Sequence, residues 1–128
     1  MATFPRLRCV EGQATTAEVN AGKVILAGKT ERTLTVVDGW LRAIGGNAET
    51  ATAVVITDTH SSPVTAFSMA VGGLTQNAVA RVGLATHSTH TNVGTALTKG
   101  KGLKITKSGS SLATATAIDY CIYYTVDG

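Results

Sequence analysis

The run Leu112-Ala113-Thr114-Ala115-Thr116-Ala117-Ile118-Asp119-Tyr120-Cys121-Ile122-Tyr123-Tyr124-Thr125-Val126 decides the fold. At the two-residue period of a strand, one side carries Leu112, Thr114, Thr116, Ile118, Tyr120, Ile122, Tyr124 and Val126. The other carries Ala113, Ala115, Ala117, Asp119, Cys121, Tyr123 and Thr125. One face is heavier than the other, as in a β-strand whose heavy face meets a core. All three tyrosines of the chain lie in this run.

Working outward, similar short runs alternate with Gly-, Asn- and Ser-containing turns. The strand-like runs are 14–19, 23–27, 32–44, 51–58, 64–71, 78–84 and 103–107, followed by 112–126. About eight strands with frequent turn signals predict an all-β single-domain sandwich of jelly-roll type. In the run 32–44, Leu34, Val36, Asp38, Trp40, Arg42 and Ile44 share one parity, and Asp38-Gly39 is placed to interrupt it as a bulge or tight turn. Expected core positions are Leu34, Val36, Trp40, Ile56, Phe67, Leu103, Ile105, Ile118, Tyr120 and Ile122. No stretch of eleven or more residues has a helical period, so little or no α-helix is expected. Residues 1–12 lack any clear period and read as an extended N-terminal arm, leaving 13–128 as the sandwich domain.

The chain of 128 residues is the size of one domain and can bury a core without disulfides or a structural metal. Only 15% of its residues are charged, and the net charge of +3 is too small and scattered for a nucleic-acid footprint. No run approaches the ~20 apolar residues that span a bilayer, and the N-terminus lacks the apolar segment of a signal peptide. The sequence therefore points away from nucleic acid and membranes, and toward a product that stays in the cytoplasm where it is made. Cys9 and Cys121 match no metal or redox spacing. Both read as free thiols; a bond between them would require the two ends of the chain to meet, and no other feature points to an oxidising compartment.

No catalytic constellation emerges. Asp58-Thr59-His60-Ser61-Ser62-Pro63 contains the residue types of a hydrolase triad, but it reads as a strand followed by a turn and lacks a G-x-S-x-G elbow. His87 and His90 form an H-x-x-H pair with no Cys or carboxylate nearby, and a zinc site needs three or four protein ligands, so no metal or cofactor is expected there. The pair reads instead as part of an exposed polar loop at a partner or oligomer interface. Lys99 and Lys101 sit on a basic glycine turn, and with Lys104 and Lys107 they form the one charge run. The candidate contact residues are thus Phe4, Arg6, Leu7 and Arg8 of the arm, His87 and His90, and Lys99 and Lys101.

The whole-chain pattern resembles the decoration, or cement, proteins of tailed-phage heads. The resemblance is carried by Val-Asn-Ala-Gly-Lys-Val-Ile-Leu at 19–26, by the run 34–44 ending in Gly-Gly, and by Leu-Thr-Gln-Asn-Ala-Val-Ala-Arg at 74–81. Gly-Leu-Lys-Ile-Thr-Lys-Ser-Gly at 102–109 and Ile-Asp-Tyr at 118–120 complete it. It implies a structural virion protein without catalytic residues. Such a protein sits on the outside of the head, bridges subunits of the major capsid protein, and self-associates as a dimer or trimer. Two other classes remain open at this point. One is a tail or fibre module binding a host glycan; the other is a small metal-binding domain in which His60 joins His87 and His90.

Overall fold

The computed structural model describes residues 6–83 and 87–127. Nine strands are present among these residues: β1 Leu7–Thr15, β2 Lys23–Leu26, β3 Thr33–Ile44, β4 Ala48–Asp58, β5 Thr65–Ala70, β6 Val79–Arg81, β7 Ser88–Thr89, β8 Leu103–Thr114 and β9 Ala117–Asp127. Their pairing is nested. The first strand pairs with the last, β2 with β8, β3 with β6 and β4 with β5, all antiparallel. Folding this two-stranded ribbon across a core gives one sheet in the order β1-β9-β3-β6 and a second in the order β2-β8-β4-β5-β7. That winding is the jelly roll. The two-residue β7 extends the second sheet beyond β5.

The core lies between the sheets, and alternation fills it. Leu34, Val36, Ile56, Phe67, Leu103, Ile105, Ile118, Tyr120 and Ile122 are all buried, as their strand parity predicts. Trp40 is not a core residue. In β3, Val36 faces Tyr124 and Asp38 faces Tyr123, which leaves Val37 unpaired as a bulge. One extra residue reverses every later side chain. Leu41 and Ala43 therefore enter the core, while Trp40 and Arg42 turn to the outer face.

The C-terminal run is two strands rather than one. Leu112 lies in the last stretch of β8, which ends at Thr114; the chain reverses at Ala115-Thr116, and β9 carries the heavy face Ile118, Tyr120, Ile122 and Tyr124 inward. This turn has no Gly, Pro or Asn; Thr114 takes the left-handed conformation at φ 69°. The expected strand at 14–19 is also divided. Its second half is the helix α1, Thr16–Ala21, opened by a capping box in which the Thr15 hydroxyl accepts from Glu18 N–H and Glu18 accepts from Thr15 N–H. Val19 anchors the helix in the core.

Residues 7–12 do not form an arm. They are part of β1, whose pairing with β9 runs without interruption from Leu7↔Thr125 to Thr15↔Ala117. Val10 packs against the core from this strand. Removing residues 1–12 would thus take away six of the nine residues of an edge strand, not a dispensable extension.

Two glycines set the spacing at one end of the sandwich. A Cβ on Gly102 would overlap the Leu26 carbonyl oxygen and come within 2.6 Å of Gly28 N and 2.8 Å of the Ala27 carbonyl carbon. Because the obstacles are backbone, no side-chain rotation relieves them. Gly102→Ala is expected to cost about 2 kcal/mol in urea unfolding, the range of core overpacking.

Candidate functional site

The close approach at Gly28 and Gly102 brings together the loop after β2, the loop before β8, and the ends of β1, β3 and β9. Arg8 sits opposite Tyr124 and shares the inward parity of Val10, but at a level where the two sheets open. A cavity of about 190 Å³ lies there. Leu26, Leu34, Tyr124 and Val126 form its apolar floor, and Arg8, Lys29, Arg32 and Lys101 stand around it. Among the described residues no carboxylate lines it.

Local hydrogen bonds fix these basic loops. Arg32 N–H donates to the Lys29 carbonyl at 3.0 Å, and Gly100 N–H donates to the Arg32 carbonyl at 2.7 Å, joining the two loops. Lys101 N–H donates to the Thr98 carbonyl. Thr98 is itself held by Asp58, whose Oδ2 accepts from the Thr98 hydroxyl at 2.6 Å and its N–H at 3.2 Å. Asp58 Oδ1 accepts from the N–H groups of His60 and Val64. Burial of this fully enclosed carboxyl acts to raise its pKa. The hydrogen bonds from Thr98, Val64 and His60 together outweigh that effect and hold it below the ordinary value.

Four ion pairs are present among the described residues. On the outer face of the first sheet, Arg42 donates to Asp119 at 2.8 Å and lies 5.6 Å from the Trp40 ring centroid. Gln13 donates to the other oxygen of Asp119. Arg81 donates to Asp38 at 2.6 Å, and this hydrogen bond is the chief reason Asp38 is held below its ordinary pKa. Lys99 pairs with Glu31 at 3.0 Å, an exposed contact of little energetic weight. None of Arg8, Lys29, Arg32 and Lys101 makes an ion pair among the described residues; Arg6, Lys104 and Lys107 are likewise without one but do not line the cavity. Four unpaired cations around one opening repel one another, and an anion placed among them relieves that repulsion.

The structure therefore brings together two residues that the sequence placed in separate contact elements, Arg8 and Lys101. Lys29 and Arg32 join them; their only sequence signal is a basic pair within a turn between two strands. Lys99 lies beside the opening, engaged with Glu31. Arg6 and Leu7 are exposed at the start of β1, and Phe4 lies outside the described residues. His87 and His90 do not line the cavity: they flank β7, where His87 lies against Gly72 and Gly73. His60 turns its Nδ1 to accept from Ser62 N–H at 3.0 Å, while the Asp58 carboxylate is occupied by backbone and Thr98 donors. The residues 58–62 thus form a hydrogen-bonded turn rather than a nucleophile, base and orienting acid in series.

Comparison with protein-family models, with curated proteins and with solved structures finds no match to this chain.

Proposed function

We propose that this jelly roll is a structural virion protein that binds the outside of a phage head and stabilises it by bridging major capsid protein subunits. The observation that carries this reading is the opening ringed by Arg8, Lys29, Arg32 and Lys101, four cations with no carboxylate among the described lining residues. A cationic rim above an apolar floor suits an acidic segment of a partner that also carries an apolar side chain. At about 190 Å³ the cavity takes one or two side chains rather than a drug-sized ligand. The rigid sandwich supplies the frame, and self-association into a dimer or trimer multiplies the contacts, so that docking on one subunit raises the effective concentration at the next.

The test is co-sedimentation of the purified protein with heads that lack it. Arg8→Glu combined with Lys101→Glu is expected to weaken attachment by at least about tenfold, because like charges then face the acidic partner. Raising the salt concentration should weaken the native protein in the same direction. Lys107→Glu, which lies outside the cavity lining, should bind like the native protein. Unchanged attachment of the folded double variant would refute the role of the opening.

A further inference from the structure

A second cluster stands on the outer face of the first sheet, on the same two strands that carry Arg8 and Tyr124. Cys9 and Glu11 alternate along β1 on this face, and Cys121 lies on β9 directly opposite Glu11 and diagonally from Cys9. The two sulfur atoms are 3.0 Å apart. One ligand atom from each of Cys9, Glu11 and Cys121 lies within 4.8 Å of the other two, and this is the one such grouping of three among the described residues. Cys121 is buried at 2% exposure, while Cys9 and Glu11 are open to solvent.

We propose that Cys9, Glu11 and Cys121 bind a thiophilic divalent cation of the zinc class. Two thiolates and a carboxylate are three of the ligand types zinc takes, and water can complete a tetrahedron. Sulfur–zinc bonds of about 2.3 Å place two sulfurs of a tetrahedral site roughly 3.8 Å apart, so the side chains need to part by less than an ångström. The observed 3.0 Å lies about 1 Å beyond a sulfur–sulfur bond, so a bound cation and a Cys9–Cys121 disulfide are alternative states of this pair.

Binding forms two metal–sulfur bonds and one metal–oxygen bond and releases two thiol protons to solvent; no electron is transferred. The ion would tie edge strand β1 to β9 and so hold Arg8 at the opening on the opposite face.

The test is titration of the reduced full-length chain with cadmium, which reports thiolate ligation through its ultraviolet charge-transfer band, and with zinc in competition. One equivalent of cadmium should saturate the band, zinc should displace it, and either ion should raise the melting temperature. Cys9→Ser, at an exposed edge position, should keep the native circular-dichroism spectrum while losing the band. Glu11→Gln should keep the band with affinity reduced at least about tenfold, as expected when one ligand of three is weakened. The proposal is overturned if the folded native chain shows no band at one equivalent, or if Cys9→Ser retains it undiminished. It is also overturned if zinc-saturated protein still forms a Cys9–Cys121 disulfide in air, since bound thiolates would be protected.

Discussion

Replacing Asp58 with alanine is expected to destabilise the protein by about 4 kcal/mol, because several donors to one buried carboxylate lose their acceptor together. The carboxylate is fully enclosed and accepts four hydrogen bonds, from His60 N–H, Val64 N–H, Thr98 N–H and the Thr98 hydroxyl. Alanine leaves those donors facing a void where the carboxylate had been. Asp58→Asn keeps one acceptor and should lose roughly half as much. Urea unfolding of the two variants measures both effects. The pH dependence has a definite sign. Because the folded-state pKa of Asp58 lies below its ordinary value of 3.8, its contribution is present above that value. As pH falls through 3.8 the unfolded chain takes up the proton first, and stability is lost until the folded-state carboxyl also protonates. Asp58→Asn should therefore show a shallower loss of stability over this acid range than the native protein.

Truncating Ile122 to alanine is expected to cost about 3 kcal/mol, within the range for large-to-small changes in a packed core. Ile122 has no exposure and lies at the centre of β9, paired with Val10 of β1 on one side and Gly39 of β3 on the other. A Cβ on Gly39 would sit 3.3 Å from the Ile122 Cδ1 and 3.4 Å from the Phe67 ring, so this part of the core is filled from both sheets. With little freedom to collapse, the cavity left by alanine persists, and the loss should appear as a lower urea midpoint with an unchanged slope. A cost below about 1 kcal/mol would mean that the two sheets do not pack there as described.

The sandwich was legible because β-branched runs separated by glycine turns report strands, and because inward parity reports the core. Four departures have specific physical causes. A single unpaired residue, Val37, carried Trp40 out of the core and Leu41 into it. The β8–β9 turn is made by threonine and alanine, so the residue types that usually mark a reversal are absent. Residues 7–12 carry too little alternation to read as a strand, yet they pair residue by residue with Tyr120–Thr125 of β9. The Thr15-x-x-Glu18 capping box was present in the sequence as a helix signal; the helix it opens is six residues long, too short to display a period.

The candidate sites were less legible than the fold. Arg8 and Lys101 were identifiable as basic residues in separate segments, but only the nested pairing of first with last strands brings them to one opening. Lys29 and Arg32 reach it because Gly28 and Gly102 allow their loops to touch. Likewise Cys9 and Cys121 are 112 positions apart and share no motif; a diagonal of the β1–β9 ladder puts their sulfurs side by side.

The most direct test of the proposed role is imaging of purified phage heads mixed with this protein, at a resolution that places side chains. The account predicts a jelly roll on the outer surface, with Arg8, Lys29, Arg32 and Lys101 against an acidic segment of a major capsid protein subunit and other contacts to a neighbouring subunit. Heads that lack the protein, or a bound protein whose basic opening faces solvent, would contradict it.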